Sequence, residues 1–197
     1  LMVKSGVTQY FLPEAMQTNL TKHLIRVENF INEHINIIID PIRRLASLIS
    51  TDGSNVEAIA QRLKFSNDQY KKLKGFLVPQ WQAVWNTDDV SLRAGLYRFG
   101  AAYIIDLSLQ QWSRMLADAP QLPQEQTDAW LRIINTANCW KDRTFPIKGQ
   151  DVVNLGIAEG PKISHLLKKL ENWWINDGCT ANRETCIKKL RQVLLDE

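Results

Sequence analysis

Apolar residues recur every three or four positions along most of this chain, and that spacing limits the possible folds more than any other feature. The clearest run covers residues 19–38, and its apolar members are Leu20, Leu24, Val27, Ile31, Ile35 and Ile38. One face of an α-helix has this period, whereas a half-buried strand alternates every second residue. No segment alternates convincingly in that way. The sequence therefore predicts an all-α fold: a bundle-like helical body with a C-terminal helical tail and about eight to ten helices.

Helix-start signals agree with this prediction. Asp40 can accept hydrogen bonds from the first N–H groups of a helix, and Pro41 suits the first helical position. In a capping box, a serine and a glutamate or glutamine three residues later satisfy each other's backbone N–H groups. That spacing occurs twice, at Ser54 with Glu57 and at Ser66 with Gln69.

The stretch over residues 119–123 is the best candidate for a domain boundary. Pro120 and Pro123 both interrupt the helical pattern there, because proline lacks the N–H group that a helix interior needs. We therefore predict a helical body over residues 1–118 and a helical tail over residues 119–197. Residues 141–149 are the next candidate boundary.

The composition describes a chain that can bury a core. It has 197 residues, 45% of them apolar, and a formal net charge of +3, so disorder is not expected. The mildly basic balance permits a nucleic-acid partner without demanding one. No apolar run approaches the about 20 residues of a membrane span, and no signal peptide opens the chain. The few cysteines fit a reduced cytosolic state, which predicts a cytoplasmic protein. Residues 1–6 read as the interior of a longer chain.

The sequence carries no self-contained active site. Its three histidines, His23, His34 and His165, lie far apart, and none has a cysteine at zinc-finger spacing. No phosphate-binding loop of the Gly-x-x-x-x-Gly-Lys-Ser/Thr type and no Gly-x-Ser-x-Gly nucleophile element occur. Asp88 and Asp89 precede a helix, where capping explains them. We therefore predict no catalytic residue and no metal site in this chain.

The most distinctive local feature is a glycine turn that opens a basic amphipathic helix. Gly156 and Gly160 allow a tight turn, and Pro161 suits the first turn of the helix that follows. A helix start offers free N–H groups and a positive dipole end, which together suit phosphate. Positions 141–170 hold six basic and three acidic residues. These features favour binding to a phosphate backbone, and the alternative is a packing turn beside a solvated helix face. Trp140 is a candidate platform for base stacking.

Three stretches stand in a definite order along the chain: MVKSGV (residues 2–7) with FLPE (11–14), DPIRRLASL (40–48) with LKFSN (63–67), and FPIKGQD (145–151) continuing to GPKI (160–163). Together they resemble elements of the bacterial tRNA nucleotidyltransferase and poly(A) polymerase family, the CCA-adding enzymes. The likeness spans nearly the whole chain, and the order and spacing carry it more than any single motif. At one position the chain departs from the family, because Ser164 stands where a small residue, often glycine, is usual.

The resemblance implies a parent enzyme whose catalytic parts are absent from this chain. The family's head carries a Gly-Ser loop and an Asp-x-Asp metal pair in a β-sheet, and its neck carries a Glu-Asp-x-x-Arg element. None of these elements is found here. The two-metal chemistry, with Mg²⁺ and ATP or CTP, therefore belongs to the missing head, and this chain alone is expected to be inactive and without a cofactor. What remains resembles the helical body and tail, which hold tRNA so that the head can extend its 3′ end.

Within this resemblance, particular residues are expected to contact RNA. A folded RNA is recognised largely through its shape and its phosphates, which exposed cations and an unobstructed backbone can approach. Arg43 and Arg44 are weaker candidates, because such a pair could instead form structural ion pairs. The main candidates are Lys148, Lys162, Lys168 and Lys169, with Gly160 allowing close approach.

Two other functions remain open at this point. Residues 155–167 loosely resemble a helix-hairpin-helix, so the chain could be a free-standing DNA-binding module that offers N–H groups to phosphate. The chain could also be a helical protein-interaction scaffold, which predicts a large exposed apolar patch in place of a basic one. Preference for RNA over duplex DNA separates the RNA-binding function from the DNA-binding module. Binding that is insensitive to salt identifies the protein-interaction scaffold.

Overall fold

The computed structural model of the protein describes Gly6 and residues 8–51, 53–119 and 121–195. Residues 2–5, 7 and 120, on which part of the sequence argument rests, lie outside this set. The helices are α1 (Thr8–Phe11), α2 (Thr18–Asn32), α3 (Pro41–Leu48), α4 (Val56–Arg62), α5 (Asn67–Leu77), α6 (Asp89–Phe99), α7 (Ala101–Asp118), α8 (Gln124–Asn138), α9 (Gly149–Val153), α10 (Pro161–Asn176) and α11 (Arg183–Leu195).

The all-α prediction is confirmed. Ten of these helices span at least five residues, in agreement with the expected number. Within the described residues there is no β-strand, and an isolated antiparallel bridge pairs Ala15 with Ile49.

The capping signals are confirmed at two helix starts and wrong at a third. Asp40 Oδ1 accepts the N–H of Ile42 at 2.8 Å, and Pro41 begins α3. Ser66 and Gln69 form the reciprocal capping box at the start of α5, with distances of 3.3 and 2.9 Å. At α4 the predicted box is absent, because the helix begins one residue later than expected, with Asn55 as its N-cap residue.

Helix α2 ends earlier than the apolar pattern predicts. The period continues to Ile38, yet the helix stops at Asn32. The side chain of Asn32 accepts the N–H of Ile37 at 2.9 Å, which stabilises a loop in place of another helical turn. Ile38, the last apolar member of that pattern, is 87% exposed in that loop.

The helices form two compact units. The first contains α1–α5, α7 and α8, and the second contains α6, α9, α10 and α11. The predicted boundary at residue 118 instead puts α6 in the body and α8 in the tail. The difference has a packing cause in each unit. Trp130 of α8 is fully buried and stacks with Trp112 of α7, while Tyr97 of α6 packs edge-on against Trp174 of α10.

In the first unit, α2 packs against α3 and α7. The fully buried Leu24 and Ile31 lie on the inner face of α2, and the fully buried Ile104 and Leu109 belong to α7. Glu28 lies between Leu24 and Ile31 at the same helical spacing and is also fully buried. A carboxylate therefore occupies a core position in this unit.

In the second unit, α10 contacts α6, α9 and α11. Its core contains no charged side chain among the described residues; it consists of Ile147, Val152, Leu166, Leu170, Trp174, Ile175, Cys179, Cys186 and Leu190. Cys179 and Cys186 are free thiols, and burial raises the pKa of both. This small core holds the glycine turn and the basic helix in place.

Candidate nucleic-acid interface

The predicted glycine turn connects α9 to α10. Gly156 has a φ of 90°, a conformation that residues with a Cβ rarely adopt, and Gly160 has a φ of 158° immediately before Pro161. A Cβ placed on either glycine would meet no atom within 4 Å. The backbone conformation, and not crowding, therefore requires glycine here. The open space in front of Gly160 is what close approach of a ligand needs.

The N-terminus of α9 is capped by the carboxylate of Asp151, a residue of the same helix. Asp151 Oδ2 accepts the N–H of Lys148 at 2.9 Å, and Asp151 Oδ1 pairs with the guanidinium of Arg183 at the start of α11. The bond from Lys148 and the charge of Arg183 lower the pKa of Asp151. Asp151 thereby joins α9 to α11 and fixes the backbone that carries Lys148.

Three of the predicted lysines lie on α10 and are exposed. Lys162 and Lys169 are seven residues apart, so they share one face of the helix and are separated by about 10 Å along its axis. Lys168 is adjacent to Lys169 and is turned about 100° around the helix. The three cations therefore lie on neighbouring exposed faces of the first half of α10 and its middle.

Lys148 stands on the backbone segment next to the start of α10. A Cβ placed on Gly149 would lie 3.6 Å from Cγ2 of Ile163, so these two residues are in van der Waals proximity. Lys148 and Lys162 each precede one of these residues and are both exposed. The backbone segments that carry Lys148 and Lys162 are therefore neighbours in the structure.

Arg43 is not an exposed cation. It is 1% exposed, its Nη2 lies 2.6 Å from Glu28 Oε1, and its Nη1 pairs with Asp106 Oδ1. Arg43 Nη2 also donates to the carbonyl of Ile38 at 2.9 Å. The ion-pairing role that the sequence left open is therefore the one that the structure supports, and Arg43 is not available to a phosphate in this arrangement.

Arg44 has an intermediate environment. Its Nε lies 2.8 Å from Glu28 Oε2, and 32% of its side chain is exposed. Glu28 thus holds Arg43 through one oxygen and Arg44 through the other. Arg44 is also mainly an ion-pairing residue of the first unit.

Trp140 is only partly suited to base stacking. Its ring is half-buried, and Cζ of Arg143 lies 5.4 Å from the ring centroid. Arg143 is held there because its Nη1 donates to the carbonyl of Cys179 at 2.8 Å. One face of the indole is therefore covered by a guanidinium group, and a base would have to displace it or stack on it.

Sequence reasoning missed a second cluster of charges, in the first unit. Asp40 pairs with Lys72, beside the network of Glu28, Arg43 and Asp106. Burial raises the pKa of Asp106, and the charge of Arg43 opposes that shift only in part. For Asp40, burial acts upward, but the bonds from Lys72 and from backbone N–H groups outweigh it, so its pKa is lowered. The sequence signal that could have revealed this cluster is Glu28, a carboxylate at a core position of the apolar pattern in α2.

Comparison with known proteins adds no family assignment: no protein-family model matches the chain, and no curated protein matches it. Among the described residues, no group of three or more His, Cys, Asp or Glu side chains is arranged to hold a metal ion. None of the helices in the described ranges has the length and apolar character that crossing a membrane requires.

Proposed function

We propose that this chain binds structured RNA, and tRNA in particular, as the C-terminal body and tail of a tRNA nucleotidyltransferase or poly(A) polymerase. The observation that carries the proposal is the glycine turn between α9 and α10, which opens a helix with three exposed lysines. The ordered likeness of three sequence stretches to that family supports it. The turn and the lysines lie in the third of those stretches or directly after it.

The geometry suits a phosphate backbone. Lys162 and Lys169 present two charges about 10 Å apart on one face of α10, and Lys168 adds a third beside them. The start of α10 contributes the positive end of its dipole, and the open side of Gly160 leaves that end approachable. Contacts of this kind depend on charge and shape and carry no base information. Double-stranded RNA is recognised mostly in this way.

The role proposed for the chain is to hold and position RNA. Nucleotide transfer, with its Mg²⁺ and ATP or CTP, belongs to a head that this chain does not include, so the chain alone is expected to be inactive. Its own residues bind the RNA and orient it so that the 3′ end reaches such a head. Three free thiols fit a reducing compartment, and we expect the protein in the cytoplasm.

The experiment that tests this function is binding of tRNA lacking its CCA end, titrated at several salt concentrations. We expect affinity to fall linearly on a log–log plot, with a slope whose magnitude decreases by about 0.7 to 0.9 for each lysine–phosphate pair that is removed. Replacing Lys162 and Lys168 with alanine should therefore flatten the slope. The matched control is Lys22→Ala with Lys71→Ala, which removes two exposed lysines from the first unit. Equal slopes for wild type and the Lys162/Lys168 variant would remove this helix from the interface.

A second candidate, a helix-hairpin-helix-like DNA-binding module, is favoured by the same α9–turn–α10 arrangement. Such a module also offers backbone N–H groups at a glycine turn to a phosphate. Duplex DNA included as a competitor separates the two functions. Strong preference for tRNA supports the RNA-binding proposal, and equal competition by duplex DNA supports the second candidate.

A further inference from the structure

A cavity of about 240 Å³ opens in the first unit, beside the loop that connects α2 to α3. Asp40, Arg43, Lys72 and Asp106 supply its charged lining, from the loop, α3, α5 and α7. All of these residues lie in one compact unit. The glycine turn and its lysines belong to the other unit, so this cavity is a separate feature of the chain.

The apolar part of the lining consists mainly of isoleucines. Ile37 is 7% exposed and Ile105 is half-buried, whereas Ile38 is 87% exposed at the mouth. The exposed side chain of Ile38 provides an apolar surface beside the cavity, on which a flat ring can lie. The cavity therefore has both apolar and charged lining residues, a combination that is usual in small-molecule sites.

The charges around the cavity cancel. Arg43, Arg44 and Lys72 are balanced by Glu28, Asp40 and Asp106, and each cation is paired with at least one of the carboxylates. An anion or a cation entering the cavity would gain no net attraction from a balanced set. A neutral ligand that has both donors and acceptors can instead bond to the ammonium group of Lys72, whose side chain is 46% exposed, and to a carboxylate. Hydrogen bonds to ionised groups are the stronger kind.

The buried charges exceed what a stable core requires. Glu28, Arg43 and Asp106 are each at most 8% exposed, and apolar residues of similar volume commonly stabilise a core as well as a buried ion network does. Groups whose pKa is perturbed by burial and by a charged partner, and which line a cleft, are frequent at binding sites. Asp40 and Asp106 meet both conditions, because each has a perturbed pKa and each lines the cavity.

The size limits the ligand. A cavity of about 150 Å³ is enough for benzene, and drug-sized ligands occupy about 300 Å³ or more. The volume of about 240 Å³ lies between these values. It suits one heteroaromatic ring system with polar edges.

We propose that this cavity binds a single nucleobase, with its ring against the isoleucines and its hydrogen-bonding edge toward Lys72 and Asp106. Proteins read unpaired bases by this combination of packing and edge contacts. The base belongs either to an unpaired nucleotide of a bound RNA or to a free nucleoside. Only the first source rests on the proposed function.

The first test is a titration of the whole chain with each of the four neutral ribonucleosides. Binding is monitored by NMR through the Cδ1 methyl signals of the isoleucines. We expect saturable shifts of Ile37, Ile38 and Ile105 with at least one nucleoside. Ile163 and Ile175, which lie in the second unit, serve as internal controls and should not move. Inorganic phosphate tests the charge argument and should leave the three cavity signals unchanged. The proposal is overturned if no nucleoside shifts the three cavity signals, or if phosphate shifts them equally.

Two variants test the assignment of the site. Ala102→Leu narrows the cavity from an exposed lining position and retains every charge, and Asp106→Asn removes a charged acceptor. Each should weaken nucleoside binding by at least about tenfold, while Asp128→Asn, on the exposed surface of α8, should have no effect. If Asp106→Asn does not fold, Ala102→Leu decides alone. Unchanged binding by a folded Ala102→Leu variant contradicts the proposal.

A third measurement separates this proposal from the RNA-binding function. A short unpaired RNA that shifts the same three methyl signals identifies RNA as the source of the base, and a response to nucleosides alone identifies a free nucleoside. The Lys162/Lys168 double alanine variant should lose affinity for tRNA and retain the nucleoside response. If the wild type does not bind tRNA but still responds to nucleosides, only the proposed RNA-binding function is contradicted. If it binds tRNA but does not respond to nucleosides, only the proposal for the cavity is contradicted.

Discussion

The two units contain nearly the same numbers of charged residues and place them differently. The first has 12 basic and 11 acidic residues in its sequence, and the second has 12 and 10. Yet Glu28, Asp40, Arg43 and Asp106, the buried charged residues among those described, all belong to the first unit. The second unit has an apolar core and carries its lysines on the surface of α10. Position, and not composition, therefore decides whether a charge is buried in a core or lies on the surface.

The largest expected effect comes from removing the central cation of the first unit. Arg43→Met leaves Glu28 with only Arg44 and leaves Asp106 without its guanidinium partner, and breaking a buried pair on one side costs about 3–5 kcal/mol. Urea denaturation followed by circular dichroism measures this cost. Lys168→Met, on the exposed face of the second unit, is the control and should change the free energy of unfolding by less than about 0.5 kcal/mol. Similar costs for the two variants would abolish the contrast between the units.

Two aspartates that cap helices provide a matched pair across the units. Asp40 caps α3 and also pairs with Lys72, whereas Asp88 caps α6 from an exposed position. Asp40→Ala should cost up to about 2 kcal/mol and more than Asp88→Ala, because the change at Asp40 also removes the partner of Lys72. The free energies of unfolding of both variants at neutral pH check this order.

These caps also predict a response to acid. The pKa of Asp40 and that of Asp88 are both lowered on folding, so their stabilisation is present above the ordinary value of 3.8 and is lost as the pH falls through the folded-state pKa. Stability measured between neutral pH and strong acid should decline less steeply in either alanine variant than in wild type. A parallel decline would contradict this assignment.

In the second unit, Tyr97 predicts a response to alkali. Burial and the bond from its hydroxyl to Glu171 Oε1, at 2.6 Å, raise the pKa of Tyr97 to about 12. This exceeds the ordinary value of 10. The neutral phenol therefore stabilises the fold fully below pH 10, and the stabilisation is lost as the pH rises through about 12. Tyr97→Phe should cost about 1 kcal/mol at neutral pH and flatten the decline in alkali. Tyr70→Phe, on α5, is the control and should leave the alkaline decline in place.

The smallest expected effect on stability belongs to the lysines of α10. Alanine at Lys162 and Lys168 should change the free energy of unfolding by less than about 0.5 kcal/mol, because exposed side chains contribute little to folding. The same variant is expected to flatten the salt dependence of RNA binding. A large loss of stability in this variant, measured by urea denaturation, would mean that these lysines act in folding as Arg43 does.

Local features of the fold were predictable from the sequence. Asp40 and Ser66 cap helices as expected, and Pro161 begins α10 after a turn in which Gly156 has a positive φ. Each of these features depends on a few neighbouring residues. Ile38 shows the limit of that reasoning, since its spacing fits α2 but the helix ends before it, where the N–H of Ile37 donates to the side chain of Asn32.

The sequence by itself determined the helices, most of their starts, and the exposed basic face of α10, because helix period, capping and turn chemistry act over a few residues. Only the tertiary structure decided that α8 packs with α7 and that α6 packs with α10. It also decided the role of Arg43, whose partners Glu28 and Asp106 lie 15 and 63 residues away in the chain. An ion pair over such distances forms only when helix packing brings its members together and excludes water from them. The same packing creates the cavity that they line.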